Sequence, residues 1–152
     1  MQKIVSLVSI LIFIFLAMTG CSKASDEKMC QIEIADSNNT VIAKLENQSQ
    51  ADVSEFLDES TWKQTQTAAE NLTAKYVISV YQEKTKTVIQ TDSDKYEKIM
   101  EYVIYKNSDI VKVSIGEDTV NGMISGNLLT EYYIASPDFF SEVDSIVSNK
   151  QI

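Results

Sequence analysis

Residues 74–82, AKYVISVYQ, carry the strongest strand signal in this chain of 152 residues. The stretch is rich in β-branched and aromatic side chains, which favour a pleated, half-buried strand. Glu83 and Lys84 then turn the chain, and residues 85–91 (TKTVIQT) are again rich in β-branched residues. This pattern predicts a β-hairpin and, with it, an antiparallel sheet as the framework of the fold.

The chain after this hairpin contains an ambiguous stretch at residues 94–106. Its apolar residues fit a helical stripe, but the run YVIY within it favours a strand. We predict a strand over residues 98–106, which turns and returns as a second strand over residues 110–115. Residues 116–126 hold three of the four glycines and are predicted to form a loop, and residues 127–135 the last strand.

A second hairpin is predicted at the start of the domain. Residues 30–36 (CQIEIAD) alternate apolar and polar side chains, a turn cluster follows, and residues 40–45 (TVIAKL) return as a strand. The alternation puts Cys30 on the apolar face. Because a reactive thiol needs an exposed, electropositive setting, we interpret Cys30 as a small core residue.

Two helices complete the predicted domain. Ser49 and Asp52 begin the first helix, which should end near Ser60, and Ser136 with Pro137 begins the second, which should end near residue 149. The apolar stripes are Val53, Phe56 and Leu57 in the first helix and Phe139, Phe140, Val143, Ile146 and Val147 in the second. The predicted fold class is α+β: an antiparallel β-sheet, made of an N-terminal hairpin plus a meander, with two helices packed on one face.

Residues 62–73 connect the first helix to the strand at residues 74–82. They are polar and lack a clear period, so we predict a connection without regular structure. Trp62, the only tryptophan, is expected to anchor this connection on the core. The alternative is that Trp62 contacts a ligand.

The N-terminal segment has the pattern of a secretion signal. Lys3 precedes a run over residues 4–18 that is apolar apart from Ser6 and Ser9 and is shorter than the roughly 20 residues that span a bilayer core. The ending Met18-Thr19-Gly20-Cys21 resembles the lipobox of bacterial lipoproteins, with Met where Leu is usual. This resemblance implies cleavage before Cys21 and attachment of a diacylglyceryl lipid to its sulfur.

We therefore divide the chain into a signal peptide (residues 1–20), a lipidated cysteine with a polar tether (residues 21–29) and a single α+β domain (residues 30–150). The domain is predicted to lie on the extracytoplasmic face of the cell membrane, held by the lipid on Cys21. Lipidation leaves Cys30 as the only free thiol, so no intramolecular disulfide is expected.

The charge of the chain excludes one class of partner. All 13 basic residues are lysines, and loss of Lys3 with the signal leaves 12 basic against 22 acidic residues, a formal charge of −10. Nucleic-acid binding needs a basic footprint, which this chain lacks. We expect the partner to be a protein or peptide that is neutral or cationic.

Several short motifs resemble those of small, mostly uncharacterised lipoproteins of Gram-positive bacteria. They are an opening Ile-x-Ile hairpin, the pair Trp62-Lys63, the strand Tyr76 to Val80 with pattern Tyr-x-Ile-x-Val, and the pair Tyr132-Tyr133 before the closing helix. The resemblance implies a location and a fold. It brings no catalytic residues with it.

Candidate chemistry is sparse. The chain has no histidine, which removes the usual general base and the commonest zinc ligand. We predict no catalytic residues, no cofactor and no metal, and expect a non-enzymatic binding domain of unknown ligand. One alternative is a self-protection (immunity or inhibitor) lipoprotein that intercepts a cationic peptide or a cell-wall-active agent, and another is a hydrolase with a histidine-free site.

Overall fold

The computed structural model describes residues 28–66, 71–84, 95–115 and 130–150. Within these residues, seven strands form one antiparallel sheet in the order β2-β1-β4-β5-β6-β7-β3, accompanied by two α-helices. This arrangement confirms the predicted α+β class. The elements are β1 (Cys30–Asp36), β2 (Val41–Gln48), α1 (Gln50–Leu57), a 3-10 helix (Glu59–Thr61), β3 (Lys63–Thr65), β4 (Ala74–Glu83), β5 (Tyr96–Tyr105), β6 (Ile110–Ile115), β7 (Thr130–Ile134) and α2 (Pro137–Lys150).

One face of the sheet, called the inner face below, carries the core. The strand register aligns Ile34 with Ile78, Ile78 with Tyr102 and Tyr102 with Val113, so these side chains share that face. Both helices pack there, since their buried residues belong to the same hydrophobic cluster as the inner face. The helix residues that the core buries are Val53, Phe56 and Leu57 of α1 and Phe139, Val143 and Val147 of α2.

Both helices begin where the sequence predicts. The Ser49 side chain accepts a hydrogen bond from the Asp52 backbone, and the Asp52 carboxylate accepts one from the Ser49 backbone N–H at 2.8 Å, which is a complete capping box. At α2, the Ser136 hydroxyl accepts from the Phe139 N–H. The helix α1 ends at Leu57 rather than near Ser60, because Asp58 takes a left-handed conformation (φ 36°, ψ 51°).

The prediction of a connection without regular structure over residues 62–73 is wrong at its start. Lys63–Thr65 form β3, which pairs with β7 at the edge of the sheet. These residues have little strand propensity of their own. Their extended conformation is fixed by hydrogen bonding to β7, a partner that local sequence does not reveal.

The predicted hairpin at residues 74–91 is only half observed. Its first arm is β4, while residues 85–91 lie outside the described residues. The strands that pair with β4 are β1 and β5, and β5 confirms the strand predicted within residues 94–106. The remaining strands β1, β2, β6 and β7 also match predicted ones, although the loop predicted at residues 116–126 lies outside the described part of the chain.

The predicted tether of residues 21–29 is described only at its last two residues. The Met29 carbonyl oxygen accepts a hydrogen bond from the Glu83 N–H at 2.9 Å, at the end of β4. The chain is therefore already held by the sheet at Met29. Cys21 and the predicted signal peptide lie outside the described residues.

Candidate functional site

Cys30 lies at the start of β1 with 1% of its surface exposed. Burial raises the pKa of its thiol, so the thiolate that would act as a nucleophile is disfavoured at neutral pH. This confirms the interpretation of Cys30 as a core residue.

Trp62 lies at the centre of an aromatic cluster on the inner face, near the β3 end of the sheet. Its backbone N–H donates to the Glu59 carbonyl oxygen at 3.1 Å, closing the 3-10 helix, and its side chain turns inward with 8% exposed. The indole lies 4.8 Å from the Phe139 ring, 6.1 Å from the Tyr102 ring and 6.3 Å from the Tyr133 ring, between centroids. Trp62 thus anchors the connection, as predicted.

The 3-10 helix brings a carboxylate to the same place. The hydroxyl of Tyr102, a residue of β5 with 1% exposed, donates to Glu59 Oε1 at 2.5 Å. Although Glu59 is exposed as a residue, its carboxylate reaches the inner face, and burial raises its pKa. Burial and the neighbouring Glu59 charge together raise the pKa of Tyr102, whose hydroxyl therefore stays protonated and donates.

A second tyrosine and a second carboxylate come from β7. The Tyr133 hydroxyl donates to Glu131 Oε2, and both side chains are half-buried on the inner face. The pKa of Tyr133 is raised far above its ordinary value, chiefly by burial, then by Glu131 and finally by the charge of Glu59. The Glu59 charge contributes to the raised pKa of Tyr133, so the two tyrosine–glutamate pairs lie close enough to interact. We call Glu59, Trp62, Tyr102, Glu131 and Tyr133 the Trp62 cluster.

The Trp62 cluster has no basic side chain to balance its two carboxylates within the described residues. Strand alternation explains this, because Lys63 pairs with Ile134 and Lys112 pairs with Tyr132, which places both lysines on the opposite, outer face. By sequence, the segments that follow β3 and precede β7, residues 67–70 and 116–129, contain no lysine either. The ion pairs of the described residues join Lys44 to Glu33 and Glu46, Lys75 to Asp144, Lys95 to Glu83 and Lys98 to Glu101.

A further polar atom of the cluster lacks a partner. The indole Nε1 of Trp62 is closed to solvent and makes no hydrogen bond within the described parts of the chain. Most buried side-chain donors in native proteins are paired, so an orphaned one calls for an explanation.

The sequence singled out only part of this site. Trp62 and Tyr133 belong to motifs named above, whereas Glu59 and Glu131 were two among 22 acidic residues. Strand alternation could have selected Glu131, because residues 131 and 133 lie on the same face of β7 and Tyr132 lies on the other. Glu59 carries no such signal, because the structure of the 3-10 helix decides where it points.

The chemistry open to the cluster is binding of a group that donates hydrogen bonds or carries positive charge. In the described segments no three acidic or cysteine side chains come together in a way that could hold a metal ion. Among the same segments, no helix is long and apolar enough to cross a membrane. Comparison with protein-family models, curated proteins and solved structures found no match for this chain.

Proposed function

We propose that the protein is a lipid-anchored, extracytoplasmic, non-enzymatic binding domain whose ligand is a cationic peptide or protein. The observation that carries the binding half of this proposal is the pair of carboxylates, Glu59 and Glu131, on an aromatic surface without an ion-pair partner in the described residues. The net charge of −10 without residues 1–20 acts in the same direction, because it attracts cations over a longer range.

The protonation state of the cluster favours binding over hydrolysis. Raised pKa values keep the hydroxyls of Tyr102 and Tyr133 neutral, so both act as donors rather than as bases or nucleophiles. Cys30 is buried with a raised pKa as well. The described residues thus offer hydrogen-bond acceptors and aromatic surface, which suit recognition.

The anchor half of the proposal rests on the lipobox-like ending at Cys21. Two acyl chains are enough for lasting membrane attachment, since each buried CH₂ contributes about 0.8 kcal/mol. Residues 22–29 reach at most about 28 Å at roughly 3.5 Å per residue, and Met29 is held by β4. A domain placed this close to the membrane would meet a cationic, membrane-active peptide before it inserts, which supports a self-protection role as a second candidate.

The anchor is tested by Cys21→Ala in the full chain, with Cys30→Ala as the matched control. We expect Cys21→Ala to release the protein from membranes or to leave it unprocessed, and Cys30→Ala to stay lipidated and membrane-bound. Membrane fractionation and intact-mass measurement report both properties. A cleaved Cys21→Ala protein that remains in the membrane fraction would contradict the anchor.

The partner class is tested with residues 22–152, which carry no lipid. We expect binding to a cationic peptide that weakens between low and physiological salt, because screening shortens the field to about 8 Å. Anionic vesicles and nucleic acid should not bind. Binding to the vesicles alone would overturn the charge argument.

A further inference from the structure

The rim of the Trp62 cluster is accessible and still has free acceptor capacity. Glu59 is exposed as a residue although its carboxylate is largely buried, Glu131 and Tyr133 are half-buried, and Trp62 and Tyr102 form a buried floor. Each carboxylate accepts one hydrogen bond from a tyrosine in the described residues. Since an ionised carboxylate offers about four lone-pair sites, both can accept further donors from a group arriving from solvent.

The floor suits a cation as well. An ammonium group is attracted to the faces of tryptophan and tyrosine rings, most strongly where water is excluded. Here Trp62 and Tyr133 lie 6.3 Å apart between ring centroids and meet at 57°, beside the two carboxylates. The charge and the aromatic surface therefore select for the same class of ligand.

The orphaned indole N–H adds a separate requirement. Within the described residues Trp62 Nε1 is a donor without an acceptor, and it belongs to the ring that packs against both tyrosines of the cluster. A bare cation would leave it unpaired. A peptide that brings an ammonium group also brings carbonyl oxygens, and one of these would satisfy Nε1 after a side-chain shift at the rim.

Resting on the function proposed above, we propose that the Trp62 cluster is a binding site for the ammonium group of a lysine side chain in a cationic peptide. Glu59 and Glu131 accept its N–H donors, Trp62 and Tyr133 contact its methylene chain and charge, and a neighbouring peptide carbonyl accepts from Trp62 Nε1. Ammonium fits better than guanidinium because its three donors can serve two carboxylates from different elements, whereas guanidinium pairs best with one in plane.

The site contains its own reporter, because Trp62 is the only tryptophan of the chain. The experiment titrates the full chain with acetyl-Gly-Lys-Gly-amide, follows the tryptophan fluorescence, and repeats the titration with the norleucine analogue, which lacks the ammonium group. We expect a saturable change with the lysine peptide and none with norleucine. An equal response to both peptides, or the same response to calcium ions alone, would overturn the proposal.

Variants assign the response to the two carboxylates. Glu59→Gln with Glu131→Gln should weaken lysine-peptide binding at least tenfold, and the matched double variant Glu55→Gln with Glu142→Gln, at two exposed helix positions, should leave it unchanged. The melting temperature of each variant is measured alongside. If the first double variant does not fold, the single variant Glu131→Gln is used instead, with a threefold loss expected.

The outcomes separate this site from the broader function. Lysine-peptide binding that survives loss of both carboxylates would place the ligand elsewhere while leaving capture of cationic peptides intact. A lysine peptide that fails where a longer cationic peptide binds residues 22–152 would likewise overturn only the site. Failure of both peptides would overturn the proposed function together with the site.

Discussion

At one edge of the sheet, β2 follows β1 through a short turn, whereas at the other edge β3 pairs with β7, which lies far along the chain. The carboxylates near the first edge are held by local hydrogen bonds. Asp36 accepts from the Thr40 and Asn38 N–H groups, and Asp52 accepts first from the Ser49 hydroxyl and then from the Ser49 N–H. These hydrogen bonds lower the pKa values of both carboxyls.

The carboxylates at the second edge are in the opposite situation. Glu59 and Glu131 accept from phenol hydroxyls, and burial raises the pKa of Glu59. The first edge uses its charges to complete a turn and a helix cap, so their role is structural. The second edge concentrates charge on an aromatic surface, with no ion pair to it among the described residues, and this difference is why we propose the ligand site there.

The largest effect is expected for the packing that joins the second edge to the core. Phe139 is 3% exposed and lies 4.8 Å from Trp62 and 6.1 Å from Phe56 between ring centroids. Phe139→Ala should lower the free energy of unfolding by roughly 3–5 kcal/mol, through lost burial and a cavity. Phe140→Ala, at the half-buried neighbour, is the control and should cost less. Urea unfolding measures both, and equal costs would show that Phe139 is not the anchor.

The same contrast decides how much of the molecule could be predicted. The hairpin β1–β2 and the start of α1 depend on residues within a few positions of one another, and both follow from alternation and capping. The strand β3 does not, because Lys63–Thr65 are polar and become a strand only through β7. The strand β4 shows the converse, since the local pattern predicts a hairpin partner directly after it while the structure pairs it with β1 and β5.

The candidate site could be predicted only where its residues stand out by type or by local alternation. Trp62 and the Tyr132-Tyr133 pair stand out by residue type, and the alternation of β7 assigns Tyr133 to the core side. The meeting of Glu59 with Tyr102 depends on how the 3-10 helix crosses the sheet. No spacing in the sequence predicts the contact between the 3-10 helix and β5, so only the three-dimensional structure shows that Glu59 belongs to the site.

The next effect concerns the hydrogen bond that holds Glu59. Tyr102→Phe removes the hydroxyl that donates to Glu59 Oε1 and leaves that carboxylate short of a donor. We expect a cost of about 1.5 kcal/mol, typical of a hydrogen bond to a charged group. Tyr105→Phe, on the same strand but facing outward, is the matched control and should change little. If the two variants unfold at the same urea concentration, the Tyr102–Glu59 bond does not stabilise the second edge.

A smaller effect is expected at the first edge, where the hydrogen bonds are local and exposed. Ser49→Ala removes the side chain that caps α1 and should cost about 1 kcal/mol. Ser54→Ala is the control, because the Ser54 hydroxyl donates to the Gln50 carbonyl oxygen one turn earlier in the helix and takes no part in the cap. Thermal unfolding of the pair measures the difference. No difference between them would mean that the capping box contributes nothing to the stability of this edge.

The smallest expected effect is the pH dependence of stability, which should have opposite sign for Asp52 at the first edge and Glu59 at the second. The folded-state pKa of Asp52 lies below its ordinary 3.8, so its contribution is present above that pH and is lost as pH falls through the lowered value. The folded-state pKa of Glu59 lies above its ordinary 4.5. Its contribution is therefore complete below pH 4.5 and is lost as pH rises through the raised value.

The two variants should therefore behave in opposite ways. Asp52→Asn should destabilise the protein at neutral pH and have the stability of the wild type in acid. Glu59→Gln should have the stability of the wild type in acid and be more stable than the wild type at neutral pH. Urea unfolding from acid to neutral pH measures the stability of both variants relative to the wild type. If both variants lose, or both gain, stability at neutral pH, the pKa values of Asp52 and Glu59 are not shifted in opposite directions.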